Sequence, residues 1–312
     1  MRKHLVDFHT HTNFSDGALS LAELVKRAKD ASLELIVVSD HDTFRTFSPA
    51  NIELAKQSIP DLKDCGDTYQ TGNLKIVKGV EFSANHNGRQ IHIVGAYLKQ
   101  VSPKIQEYFG KIGEERKERA QKLADRMNVN FEDVLRVAGN ATSITRLHVG
   151  RVIYDSDKRN PVRVVNDKRY LRYSSAHDVA VRLIPRKHKD YLPVSPEVVM
   201  SSFDAVNSIL EHGGIPIWAH PAMEKLPLEE TMEELQTYAN DRLFVEGYSG
   251  NCSDRENKRV AQVARQLGIP MLKSSDFHGL PMKDNKLGYI LRHPEYKTIM
   301  KTIKKTLNGI RP

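Results

Sequence analysis

The 312-residue sequence is long enough for one large α/β domain with a substantial buried core, or for a barrel carrying an insertion. Two cysteines, Cys65 and Cys252, exclude a disulfide framework, neither has a second cysteine at metal-site spacing, and no apolar run approaches membrane-spanning length. A formal net charge of +8 favours an anionic partner: nucleic acid, a nucleotide or a phosphorylated metabolite. Met1-Arg2-Lys3-His4 runs straight into the first chemically unusual segment and leaves no room for a signal peptide. The expected location is therefore cytoplasmic, with both thiols inert in a reducing compartment.

Residues 5–11 read as a strand that breaks into the polar turn Asn13-Phe14-Ser15-Asp16-Gly17. Side chains alternate faces along a strand, so His9 and His11 project to the same side, with the Asp16 carboxylate close behind. Residues 20–31 follow as a helix behind a Ser N-cap. The grammar then recurs. Residues 33–38 end in Ser39-Asp40-His41-Asp42, residues 74–80 end in Glu81-Phe82-Ser83, and residues 90–98 hold His92. Later, residues 214–218 end in Ala219-His220-Pro221, and residues 243–245 lead into Glu246-Gly247-Tyr248-Ser249. Residues 270–272 lead into Ser274-Ser275-Asp276-Phe277-His278-Gly279, which makes seven strand-like runs. Ser195-Pro196-Glu197 reads as a Ser cap with Pro at the first helical position, opening a helix that stops at Gly213-Gly214. Residues 251–267 form another amphipathic helix. Strands alternating with helices predict βαβ units and a parallel sheet whose C-terminal edge carries the site.

Between about Pro103 and Pro193 the strand-like runs thin out and charge rises. Residues 111–127, 131–137 and 145–154 read as helices of a mostly helical insertion over the barrel mouth. The expected division is a barrel of residues 1–102 and 194–312, with residues 103–193 inserted and contributing substrate-binding residues. Arg116, Lys117, Arg119, Lys122 and Arg126 are interleaved with acidic residues and read as a solvated helix face.

Of thirteen histidines, six stand at or beside strand-end positions: His9, His11, His41, His92, His220 and His278. Asp16, Glu81 and Asp276 join them. Nine nitrogen and oxygen donors are too many for one tetrahedral zinc but suit two or three divalent ions sharing a bridging carboxylate. Without a sulfur ligand, Mn, Zn and Fe(II) all fit. His4, His86, His177, His188, His212 and His293 lack that context and read as surface or packing residues.

His9-Thr10-His11 with Ser15-Asp16-Gly17, Ser39-Asp40-His41-Asp42-Thr43, Gly79-Val80-Glu81, Ala219-His220-Pro221 and Ser275-Asp276-Phe277-His278-Gly279 resemble, in order, the motifs of the PHP (polymerase and histidinol phosphatase) family. The resemblance implies a distorted (β/α)7 barrel with a mostly helical insertion and a trinuclear metal centre that hydrolyses phosphoesters. It implies one ion on His9, His11, Glu81 and Asp276. A second would lie on Asp16, His41 and the bridging Glu81, and a third on His92, His220 and His278. Within the family the chain is most similar to the branch of nucleoside 3′,5′-bisphosphate phosphatases and 5′→3′ exoribonucleases. Thr145-Arg146-Leu147-His148 stands where that branch has a Thr-Arg-Pro-His-like motif. Residues 186–193 stand where it has a loop with Lys-x-x-x-Tyr/aliphatic-Pro, and Tyr248-Ser249-Gly250 also fits.

The implied reaction uses a metal-bound hydroxide as catalytic nucleophile, with the ions neutralising charge on the phosphoryl oxygens; a general acid is not identified. Arg146, His148 and Lys187 are the candidates for holding a phosphate, Arg being suited to bidentate contact. Asp40 and Asp42 are expected to orient metal-bound histidines. The expected partner is an anionic phosphorylated small molecule or short oligonucleotide, with no membrane and no protein partner implied. Two other readings compete: a small-metabolite phosphatase of the histidinol-phosphatase kind, and a non-catalytic PHP module in a nucleic-acid complex. The second expects eroded metal ligands, and none of the nine positions is eroded.

Overall fold

All seven strand-like runs form strands: β1 (Lys3–Thr10), β2 (Leu35–Val38), β5 (Leu74–His86), β6 (Arg89–Ala96), β9 (Ile215–Trp218), β10 (Phe244–Ser249) and β11 (Met271–Ser274). In that order they hydrogen-bond side by side and curl into a nearly closed barrel. The computed structural model describes residues 3–156, 162–165, 169–172, 175–176, 179–180, 195, 197–279 and 286–310. Lys187 and the loop 186–193 lie outside the described residues.

The barrel is not all-parallel. β1–β2, β2–β5, β9–β10 and β10–β11 pair parallel, but β6 runs antiparallel to both β5 and β9. The cause is local. Asn87 and Gly88 both adopt positive φ, at 51° and 80°, and close a two-residue hairpin between His86 and Arg89. Asn-Gly is the pair best suited to such a turn. β6 therefore starts at the mouth and runs inward, which places His92 near the beginning of its strand rather than at a C-terminal end. Antiparallel strands unforeseen in the sequence flank the barrel: β3 (Lys63–Asp64) and β4 (Thr68–Thr71) extend it beside β5, and β12 (Tyr289–Arg292) pairs with β1. β7 (Val162–Val165) and β8 (Arg169–Arg172) form a separate two-stranded sheet.

Between β11 and β1 the barrel has a seam. No ladder joins the two strands; a single bridge pairs Thr10 with Phe277, just past β11. There the His11 N–H donates to the Phe277 carbonyl at 2.9 Å, and the Phe277 N–H to the His9 carbonyl at 3.3 Å. The buried Asp7 carboxylate spans the rest, accepting from Ser275 N (2.9 Å), Ser275 Oγ (2.5 Å) and Gly288 N (2.8 Å).

The barrel interior is filled by apolar side chains, among them Val6, Phe8, Val37, Val77, Ile217, Phe244 and Leu272. The helix His293–Ile310 packs Ile299, Met300 and Ile303 against them. β2 is buried at all four residues, as a strand covered on both faces must be. Helices α1 (Leu21–Asp30), α3 (Pro103–Arg126), α4 (Phe131–Ala138) and α5 (Arg146–Ser156) follow the reading closely, α3 starting earlier behind Ser102 and Pro103, and α2 (Pro49–Ser58) was not foreseen. Two helix starts differ. The helix expected from Pro196 begins at Ser202, because Ser201 accepts from Asp204 N and takes the capping role; the Val198 and Val199 N–H groups donate to the Ser195 carbonyl instead. The helix expected from Asn251 begins at Asp254, behind a capping box of Ser253 and Glu256. The segments of α3, α4 and α5 share a small apolar core of their own, with Leu123, Val134, Ile144 and Ile153.

Candidate metal centre

His9, His11, Asp16, His41, Glu81, His92, His220, Asp276 and His278 converge on one mouth of the barrel, and each is buried. Glu81 stands in the middle. Its Oε2 lies 3.2 Å from His9 Nε2, 3.3 Å from His11 Nε2 and 2.9 Å from His41 Nδ1. Its Oε1 lies 3.1 Å from both His92 Nδ1 and His220 Nε2. One carboxylate thus faces five imidazoles.

Among the described residues the donors fall into four overlapping sets, two of which are His41, Glu81 and His92, and His92, His220 and Glu224. His9, His11, Glu81 and Asp276 form one, as the resemblance implied. His92 on β6 and His220, two residues past the neighbouring antiparallel β9, bring ring nitrogens within 3.3 Å of each other on the Oε1 side of Glu81. His278 does not join them. Its Nε2 lies 3.1 Å from Asp16 Oδ1, and it groups with His11, Asp16 and His41. The implied sets of Asp16–His41–Glu81 and His92–His220–His278 therefore exchange members, because the loop after β11 crosses the seam toward β1 and away from β9. Glu224, unforeseen in the sequence, stands 3.2 Å from His220 Nδ1.

The loops are held tightly. Asp42, His220 and Asp276 adopt positive φ at 48°, 32° and 54°, a conformation that costs non-glycine residues of order 1 kcal/mol or more. A Cβ on Gly17 would stand 2.6 Å from the His11 carbonyl, so only glycine lets the Asp16 turn fold back onto β1. Asp40 accepts from Thr12 N (2.7 Å), Thr12 Oγ1 (2.6 Å), Ser15 Oγ (2.6 Å) and Thr46 Oγ1. Asp42 accepts from Ser83 N and Oγ, both at 2.8 Å, and from Arg116 Nη2 at 2.6 Å. Both aspartates thus fix loops, not histidine rings as the sequence suggested. Ring orientation comes from Glu246, whose Oε1 lies 2.7 Å from His9 Nδ1 and whose Oε2 accepts from His220 N (2.8 Å). With Nδ1–H donating to Glu246, the His9 Nε2 lone pair points into the cluster.

Burial drives His9, His11 and His220 toward their neutral forms, but Glu81, Asp276, Glu246 and Glu224 outweigh it and hold these imidazoles well above their ordinary pKa. Burial likewise opposes ionisation of Asp16, Glu81 and Asp276, and the surrounding imidazoles overcome it and hold these carboxyls well below their ordinary range. For His41 burial wins and the pKa falls. Asp7, beside the cluster, is pushed up to about 6 by burial against the hydrogen bonds it accepts. The donor set fits divalent ions on a further ground. Asp16 Oδ1, His41 Nδ1, Glu81 Oε2 and His220 Nδ1 are buried and make no hydrogen bond, the condition expected of atoms meant for a cation.

A cavity of about 210 Å³ opens over the cluster, lined by Asp16, His41, His92, His220, Asp276 and His278 and by three guanidinium groups, Arg116, Arg119 and Arg146. Arg116 is buried rather than solvated, paired with Asp42 and donating to Ser83 Oγ at 2.7 Å. Lys117, Lys122 and Arg126 do face solvent. His148 does not reach the cavity. It is 1% exposed, and its Nδ1 accepts the Thr145 N–H at 3.0 Å.

Residues 7–170, just over half of the chain, match the PHP domain family, and the protein belongs to it. The 5′-3′ exoribonuclease Rnm of Escherichia coli (strain K12) is 26% identical over 284 residues, spanning 88% of this chain and 85% of that protein. The 3′,5′-nucleoside bisphosphate phosphatase of Chromobacterium violaceum is 26% identical over 285 residues, spanning 88% and 87%. In fold, the chain is similar to an amidohydrolase from Chromobacterium violaceum solved with bound sulfate and no metal. The TM-score is 0.71, at 24% identity, covering 95% of this chain and 96% of that one. Among the described residues no helix is long and apolar enough to cross a membrane.

Proposed function

We propose that the protein is a metal-dependent phosphoesterase that hydrolyses a phosphate ester of a nucleotide bearing a second anionic group. A 3′,5′-bisphosphate nucleotide or a 5′-phosphorylated short RNA has that form, and relatives at 26% identity carry those activities in their names. The observation that carries the reading is the lining of the metal cavity: three arginines stand beside six of the nine metal-type donors. A scissile phosphate needs only the ions and Arg116 is held by Asp42, so we assign Arg119 and Arg146 to a further anion.

The distances support three ion positions: His9, His11, Glu81 and Asp276; Glu81, His92 and His220; and Asp16, His41 and His278. Bound divalent ions supply a hydroxide nucleophile at neutral pH and neutralise charge on the phosphoryl oxygens. The chain does the rest. Glu246 holds the His9 ring and the His220 backbone, Asn251 Nδ2 donates to Asp276 Oδ2 at 2.6 Å, and Thr145 Oγ1 donates to Asp16 Oδ2 at 3.0 Å. Arg116, anchored by Asp42 at 2.6 Å, cannot swing away and fixes that wall of the cavity. The division into a barrel and the insertion 103–193 enters here: α3 and the start of α5 contribute Arg116, Arg119 and Arg146. Relatives do not favour the small-metabolite alternative.

The test is a matched substrate panel on Arg146→Ala. Losing one charge-assisted hydrogen bond costs about 1.5–3 kcal/mol, on the order of tenfold to a hundredfold. kcat/KM for a 3′,5′-bisphosphate should fall by that factor, with metal content and hydrolysis of a simple monoester unchanged. An equal loss on both substrates, or none on either, removes the second-anion reading.

A further inference from the structure

A second cavity, of about 830 Å³, lies behind α3 from the metal centre. Phe109, Gly110, Gly113 and Lys117 of α3 face it, whereas Arg116 and Arg119 of the same helix face the metals. The buried Asp42–Arg116 pair stands between the two, Asp42 lining one cavity and Arg116 the other. Its volume is within the range of small-ligand sites, roughly 300–1,000 Å³. Three aromatic rings, Phe44, Phe47 and Phe109, contribute to its wall. Two exposed cations, Arg45 and Lys117, stand at its edge. Of the two acidic side chains there, Asp42 is already committed to Arg116 and Ser83, and Glu114 is exposed at the edge.

Gly110 supplies an independent observation. It lies inside α3, where glycine costs about 1 kcal/mol relative to alanine. Gly113 has a packing reason, since a Cβ there would stand 2.8 Å from the Thr142 carbonyl. A Cβ on Gly110 would meet nothing within 4 Å. Among the described residues no neighbour accounts for that glycine; it faces the cavity, where a backbone without a side chain admits close approach of a ligand.

We propose that this cavity binds a mononucleotide, its base against the phenylalanine rings and its phosphate between Arg45 and Lys117. An aromatic wall selects a planar ring, and the paired cations select an anion. The inference does not rest on the reaction proposed above.

Equilibrium dialysis of the metal-loaded full chain against AMP tests it, with Gly110→Leu, which fills the space and favours the helix, measured beside the native chain. The native chain is expected to bind one AMP more than Gly110→Leu, with hydrolysis of a simple monoester equal in the two. Arg45→Ala should weaken that additional AMP about tenfold, and ribose 5-phosphate, lacking the ring, should not occupy that site. Equal AMP stoichiometry in the native chain and a folded Gly110→Leu overturns the proposal. An additional equivalent seen only with a phosphorylated dinucleotide overturns it too, making the cavity a path for a substrate chain.

Discussion

Glu81 presents both carboxylate oxygens to imidazoles, three on one side and two on the other, and no neutral side chain reproduces that. Glu81→Gln replaces one oxygen by a donor aimed at ring nitrogens. Metal content by elemental analysis and phosphoesterase turnover are expected to fall together, and by more than for any single histidine replaced by alanine. Full occupancy with unchanged turnover would refute the bridging role. The gathering of these nine side chains at one mouth was legible because residue type and position at strand ends both mark them. How they group there was not, since it depends on how the loop after β11 crosses the seam. Glu246 was equally hidden. Its partner His9 is 237 positions away, and the only local signal is an acidic residue on an otherwise buried strand.

The start of α5 shows how an element can hide its logic. Thr145 and His148 form a reciprocal cap: Leu147 N–H donates to Thr145 Oγ1 at 3.1 Å, and Thr145 N–H donates to His148 Nδ1 at 3.0 Å. Histidine here takes the place that glutamate has in a capping box, and it does so only when neutral. Burial, with Arg151 beside it, pushes the His148 pKa down to about 4. A folded pKa below the unfolded value of about 6.5 means the unfolded chain binds the proton more readily. The contribution of neutral His148 is therefore complete above about pH 6.5 and lost as pH falls toward 4, up to about 3 kcal/mol. His148→Gln keeps an acceptor and removes the titration. Denaturant midpoints measured from pH 7 to pH 4.5 should fall less steeply in that variant; identical slopes would assign the acid sensitivity elsewhere. The same cap fixes Thr145 on Asp16, so α5 serves the metal centre without touching substrate through His148. Helices and parallel strands were readable from periodicity. The reversed strand β6 was also announced, by Asn87-Gly88, a turn signal that the expectation of an all-parallel sheet masked. The flanking strands β3, β4 and β12, none longer than four residues, carry no alternation long enough to read.

Across the molecule, alternating strands and helices predicted a barrel, but not that its strands would leave one junction nearly unlaced. β1 and β11 meet through one backbone bridge and the Asp7 carboxylate. His9 and His11 belong to β1 or its end, while Asp276 and His278 follow β11. Ions shared by these donors would consequently act as a clasp on a hoop, supplying across the gap the cohesion that hydrogen-bonded ladders supply elsewhere. Local opening draws on whichever interactions are weakest, and a ligand that binds only the closed form suppresses it. Stripping the ions with a chelator should therefore speed amide hydrogen exchange first at His11 and Phe277, whose N–H groups cross the gap, while the β2–β5 ladder keeps its protection. Adding Mn²⁺ or Zn²⁺ back should slow those two amides again. If they exchange alike with and without ions, the polypeptide alone holds the hoop shut. If they respond, the reaction centre and the mechanical fastening of the fold are one object, and a cell short of divalent metal would hold this protein unbuckled as well as idle.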